Sequence, residues 1–112
     1  LQDLTRKEER LKLYVFILEW MEHIILEPSL GYYADTIKLR KVFRKFGVED
    51  AGDKAWMSGR FKRDGLAIKK WSNGLELDLS EDALPRIAEA KDKAMKELRE
   101  VQCRILLLKM GG

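Results

Sequence analysis

The chain has 112 residues, 46% of them hydrophobic and 37% charged, and a net charge of +3. This length fits one domain with one modest core, and the hydrophobic share excludes a disordered chain. One cysteine, Cys103, and one histidine, His23, exclude a disulfide framework and a multi-cysteine zinc site. The sequence holds no GxGxxG, no GxxxxGK[ST] and no HExxH, and its longest apolar run is Leu13–Leu18. The expectation is therefore a cytoplasmic protein that is not an enzyme, spans no membrane and holds no metal or cofactor. The charge is unevenly spread. Residues 1–35 are net −3, residues 36–71 carry eleven basic against four acidic side chains, and residues 72–112 are net −1. A cationic middle between mildly acidic ends suits one surface that faces a polyanion.

In chain order, Thr5-Arg6-Lys7-Glu8 fits a capping box, and a helix is expected from there to about Leu26. Leu11, Tyr14 or Val15, Leu18 and Ile25 make one apolar face of it. Leu13, Phe16 or Ile17, Trp20 and Ile24 make another, which points to cover on two sides and to a second subunit as one cover. Pro28 to Gly31 reads as a loop, with Tyr32 and Tyr33 in it or packed under the next helix. Asp35 or Thr36 is suited to cap a second helix over 37–46, stopped by Gly47, with Ile37, Leu39, Val42, Phe43 and Phe46 inward. Asp50 or Asp53 is suited to cap a third helix that Gly65 stops. There Met57 and Phe61, four apart, face the core beside Trp56, and Lys54, Ser58, Gly59, Lys62 and Arg63 fall largely on the other side. Gly59 inside a helix marks a tolerated cost, a close helix crossing, or room for a phosphate or base edge.

Asn73-Gly74 between Leu66–Trp71 and Leu75–Leu79 is a hairpin signal. A two-residue turn sets Ile68 opposite Leu79, Lys70 opposite Leu77 and Ser72 opposite Leu75. Ile68, Leu75, Leu77 and Leu79 then face inward, with Lys69, Lys70 and Asn73 near the tip. Trp71 reads as a packed aromatic. A last helix starts at Ser80-Glu81-Asp82 and runs to about Met110. Its heptad has Leu84, Lys91, Leu98 and Ile105 at a, and Ile87, Ala94, Val101 and Leu108 at d. Seven of these eight are apolar, which supports a coiled-coil seam, although an amphipathic helix packed on its own domain gives a similar pattern.

Arg60-Phe61-Lys62-Arg63-Asp64-Gly65-Leu66-Ala67-Ile68, followed by the Asn-Gly hairpin, resembles the close of a winged-helix recognition helix and its lead into the wing. The resemblance covers about residues 34–80. One position departs from the pattern: Ser58 stands where an apolar residue is usual, so Met57 or Trp56 takes its place. The whole layout is similar to the dimeric winged helix-turn-helix DNA-binding proteins, PadR-like repressors and replication-terminator-like proteins among them. That resemblance implies a mainly α fold with a small β-hairpin, a winged-helix core over 34–80 and a coiled-coil dimerisation helix over 81–110. It further implies sequence-specific binding of double-stranded DNA by a homodimer, as a nucleoid-associated transcriptional regulator. Lys54, Ser58, Arg60, Lys62 and Arg63 are then the base-contacting candidates of the recognition helix. Lys38, Arg40, Lys41, Arg44 and Lys45 are candidates for the DNA backbone, and Lys69, Lys70 and Asn73 for the wing. Arg60 is also placed to pair with Asp64, four residues on. Ile87, Ala94, Leu98, Val101, Ile105 and Leu108 are the dimerisation candidates. The same scaffold fits a replication, partition or chromatin-organising protein. It also fits a winged-helix protein-interaction module in a larger assembly, against which the cationic middle argues.

Overall fold

The computed structural model describes residues 1–27, 34–70 and 74–111. It is mainly helical, with a three-stranded antiparallel sheet. The elements run α1 (Gln2–Leu26), β1 (Thr36–Lys38), α2 (Leu39–Lys45), α3 (Ala51–Arg63), β2 (Ala67–Lys69), β3 (Leu75–Asp78) and α4 (Leu84–Gly111). A single 3-10 turn, Glu81–Ala83, leads into α4. The expected Pro28–Gly31 loop, Tyr32, Tyr33, and Trp71, Ser72 and Asn73 of the hairpin lie outside the described residues.

Local chemistry explains the helix ends. The Asp50 side chain accepts from the Asp53 N–H, so Asp50 is the cap of α3. Gly47 and Gly65 have φ of 70° and 72° and end α2 and α3 in the same way. Val48 N–H donates to Phe43 C=O and Gly47 N–H to Arg44 C=O, while Leu66 N–H donates to Phe61 C=O and Gly65 N–H to Lys62 C=O. Both are Schellman closures, each with its apolar pair buried. The α1 start differs from the expected capping box. The helix begins four residues earlier, with Leu1 at the cap position, and Thr5 lies inside it with its hydroxyl turned back to Leu1 C=O. The second helix also differs. Thr36-Ile37-Lys38, expected as its cap and first turn, is instead a strand, and α2 is one residue shorter at its end.

The strand β1 pairs with β3, and β3 with β2, in the order β1-β3-β2. Ala67 lies opposite Leu77, Ile68 opposite Glu76 and Lys69 opposite Leu75. The hairpin is present, but its register is three residues from the one that a two-residue Asn-Gly turn dictates. An odd shift exchanges the faces of one strand relative to the other. Ala67 is buried and Ile68, expected inward, is 43% exposed, while Leu77 and Leu79 remain buried as expected. Gly74, at φ 92°, still takes the left-handed conformation that favours glycine.

The helix α4 lies along α1. The ion pairs Lys7–Glu97 (3.1 Å) and Glu22–Lys91 (3.1 Å) run in opposite senses along the two helices, so they are antiparallel. This corrects the seam expected between two copies. Ile87, Ala94, Val101 and Ile105 are buried in the core of their own chain, and Leu98 packs against it. Only Leu108, 53% exposed, stands clear. The second face of α1 is covered in part from within: the rings of Phe16 and Trp20 meet Phe46 edge-on at 5.7 and 5.4 Å, and Phe16 stays 58% exposed. The α1–α4 contact leaves Ala94 fully buried. Ala94→Leu is expected to overpack it and to cost about 1–3 kcal/mol in urea unfolding; a neutral or stabilising result would mean the heptad stripe is not closed by α1.

Candidate nucleic-acid interface

The rotation of α3 about its own axis decides what it offers to a partner. Met57 and Phe61 are fully buried, and Met57 takes the apolar place that Ser58 leaves open. Arg60, a candidate base-contacting residue, is turned inward with them and is 6% exposed. Its Nη1 lies 2.8 Å from Glu97 Oε2 on α4, and its Nε lies 3.5 Å from Asp64 Oδ2. Its guanidinium sits 5.4 Å from the Tyr14 ring centre on α1 and 5.7 Å from that of Trp56. Arg60 therefore joins three helices and is not available to a base; the pairing with Asp64 at i, i+4 is present. The Tyr14 hydroxyl donates to Asp64 and completes the cluster.

Two titrations are shifted here. Burial, then the hydrogen bond to Asp64 and that carboxylate's charge, push the Tyr14 phenol well above its ordinary value. Burial alone would raise the Glu97 carboxyl, but the hydrogen bonds and charges of Lys7 and Arg60 outweigh it and hold Glu97 below its ordinary 4.5.

On the outward side of α3, Ala51, Ala55, Gly59 and Lys62 are exposed, with Lys54 beside them and Ser58 half-buried. A Cβ built on Gly59 meets nothing within 4 Å, so no helix of this chain crosses close to it. Two adjoining recesses link α3 to its neighbours. One, of about 330 Å³, is lined by Arg40, Arg44, Val48, Glu49 and Lys54 among others. The second, of about 200 Å³, has Leu39, Phe43 and Leu75 along it with Arg40, Ser58 and Gly74. The structure thus brings Arg40 and Arg44 of α2, Lys54 and Ser58 of α3, and the end of the hairpin to one surface.

Other candidates are placed apart. Lys45 lies 5.7 Å from the Trp20 ring centre, on the α1 side of α2. Arg63 lies 3.8 Å from Asp64 and lines a separate recess with Arg86 and Lys93 of α4. Lys41, Lys69 and Lys70 are exposed and Lys38 is half-buried on β1. Asn73 lies outside the described residues. The carboxylates contrast with this. Arg10 pairs with Asp53 (2.7 Å), Arg86 with Asp78 (2.7 Å) and Lys93 with Glu89 (3.1 Å). Among the described residues, Lys38, Arg40, Lys41, Arg44, Lys45, Lys54, Lys62, Lys69 and Lys70 have no carboxylate within 4.0 Å. No group of three or more metal-ligating side chains occurs among the described residues. No helix there is long and apolar enough to cross a membrane. His23 and Cys103 are both exposed. Comparison with protein-family models, with curated proteins and with solved structures yields no match.

The inward Arg60 cluster was missed by sequence reasoning. Its partners Tyr14 and Glu97 are far from it in the chain, whereas Trp56 and Asp64 stand four residues to either side of Arg60, the spacing that signals contact on a helix. Two outcomes are expected. Arg60→Ala leaves Glu97 and Asp64 without their buried partner and lowers stability by about 3–5 kcal/mol in urea unfolding. Because the folded state depresses the Glu97 titration, its contribution is complete above about pH 4.5 and is lost as pH falls through the folded value. Glu97→Gln should therefore flatten the acid limb of the stability–pH curve; an unchanged limb would show that other carboxylates carry it.

Proposed function

We propose that this chain binds double-stranded DNA through the surface made by α2, α3 and the hairpin, in the manner of a winged helix-turn-helix protein. The observation that carries the reading is that Arg40, Arg44 and Lys54, none with a carboxylate partner among the described residues, meet at one surface with Ser58 and the end of the hairpin, beside a helix face of small side chains. Cations on a protein surface are ordinarily interspersed with acids. Here the acids of residues 36–71 are engaged elsewhere or stand at the edge: Asp53 holds Arg10, Asp64 holds Arg60, Asp50 caps α3, and Glu49 borders one recess.

Each part has a role in that reading. The element order from α1 to β3 matches the layout the winged-helix resemblance implies, with β1 closing the sheet beside the hairpin. The outer face of α3, with Ala51, Ala55 and Gly59, lets the helix backbone approach a groove closely. Lys54, Ser58 and Lys62 stand where they can reach base edges, as lysine does to guanine O6 and N7. Arg40 and Arg44 flank α3 and suit phosphates, which set affinity and salt dependence without reading sequence. Lys69 and Lys70 extend the cationic surface along the hairpin. Reading base edges in this way is the chemistry of a sequence-specific regulator.

The test is fluorescence anisotropy with labelled duplexes over a salt series. The wild-type chain is expected to bind at low salt and to lose affinity steeply as salt rises. Arg40→Glu with Arg44→Glu should weaken binding by about a hundredfold or more with an unchanged melting temperature. Gly59→Ala separates the two demands on α3. It should stabilise the fold by up to about 1 kcal/mol, since helical glycine is unfavourable and the site is open, while weakening duplex binding. Absence of binding to any duplex at low salt removes the reading.

A further inference from the structure

The two recesses beside α3 differ in chemistry. The larger has the cations Arg40, Arg44 and Lys54 along it. The smaller, between α2, α3 and the start of β3, is mostly apolar: Leu39 and Phe43 are 4% and 7% exposed, and Leu75 is half-buried. Of the described residues that line it, only Arg40 and Ser58 have polar side chains. A water molecule there finds too few partners for the roughly two to four hydrogen bonds that hold it well, so an apolar group gains by displacing it. Arg40 and Phe43 line both recesses, so an apolar seat and a cationic seat lie side by side.

We infer that the apolar recess seats the C5 methyl group of a thymine in the major groove, so that the surface prefers an A·T pair at that position. This rests on the duplex-binding reading above and adds to it the base that is chosen. The thymine methyl is the apolar group that the major groove offers, whereas guanine, adenine and cytosine present hydrogen-bonding groups there. Against Leu39 and Phe43 those polar groups would lose water without gaining a partner, and the methyl would not. The methyl also stands on the edge of the base nearest its own sugar–phosphate strand, so a surface that seats it needs a phosphate site alongside. Arg40, Arg44 and Lys54, without a carboxylate partner among the described residues, supply that site in the adjoining recess. The Ser58 hydroxyl lines the apolar recess and can donate to thymine O4, the acceptor next to the methyl.

Anisotropy of the full chain on two labelled duplexes at low salt tests it. One duplex alternates A·T pairs, and the other is identical except that deoxyuridine replaces every thymidine. The two carry the same phosphates and the same hydrogen-bonding edges and differ only in the C5 methyl. The thymine duplex should bind about fourfold more tightly, the worth of one buried methyl group. Leu75→Thr keeps a residue that favours a strand but sets a hydroxyl in the recess wall, and it should bring that ratio toward one. Leu75→Met keeps the wall apolar and should retain the ratio. Melting curves establish that both variants are folded, and the wild-type comparison decides without either of them. Equal affinity for the two duplexes overturns the methyl seat and leaves duplex binding standing. Binding to neither duplex overturns both readings. A preference for thymine that a folded Leu75→Thr chain keeps in full overturns the assignment to this recess.

Discussion

A guanidinium buried where α1, α3 and α4 meet decides how α3 is turned, and the rotation of α3 decides which of its side chains face out. Arg60 is held by Glu97 from α4, by Asp64 from the end of its own helix, and by the ring faces of Tyr14 and Trp56. A buried ion pair of this kind is a poor source of net stability, because desolvating both groups offsets most of the attraction. Its effect is on geometry. Turning α3 so that Arg60 faced water would take the guanidinium from Glu97 and Asp64, leaving them only Lys7 and the Tyr14 hydroxyl, and would expose Met57 and Phe61. The alternative rotations are therefore penalised twice, by charge and by apolar area. With Arg60 inward, residues 51, 55, 59 and 62 are outward by helical spacing, and the cations beside them follow.

Much of this fold is written in local chemistry. Asp50, Gly47 and Gly65 mark helix ends because the interactions that stop a helix involve residues a few positions apart. The strand β1 was hidden for the opposite reason. Three residues are too few to show alternation, and Thr36-Ile37-Lys38 is a strand only because Leu77 and its neighbours lie alongside. The hairpin shows the limit of turn chemistry. Asn73-Gly74 marks a reversal, but the pairing of Ala67 with Leu77 is set by what the sheet buries against the helices, and burying Leu66, Ala67 and Leu77 wins over the tighter turn. The heptad of α4 was legible as an apolar stripe, yet a stripe does not say what covers it. Intramolecular cover by α1 needs no second chain, and antiparallel contact along both helices satisfies it.

The candidate surface was legible in charge count and only partly in detail. Basic residues in 36–71 are plain from the sequence, whereas their sorting depends on where acids lie in space. Arg60 and Arg63 both have Asp64 near, and they differ in that Arg60 is enclosed and Arg63 is not. On α2 the basic run divides, because four residues of helix turn through more than a full revolution. Arg40 and Arg44 share the side toward α3 while Lys45 lies against Trp20. A run of like charges thus serves two surfaces, and only one of them adjoins the outer face of α3.

The helix α4 carries two apolar stripes, and the difference between them explains why one is structural and the other is not. The inner stripe holds Ala90 and Ala94, whose short side chains let α1 approach closely, and its larger residues Ile87, Val101 and Ile105 fill the space around them. The outer stripe has the small Cys103 at its centre but Met95, Arg99, Leu106 and Met110 around it, so it presents mostly long flexible side chains rather than a close-packing seat. Methionine and leucine there can be left in water at modest cost, whereas exposing the inner stripe means unfolding the domain. A helix built this way carries the core on one side and leaves the apolar residues of the other side in water.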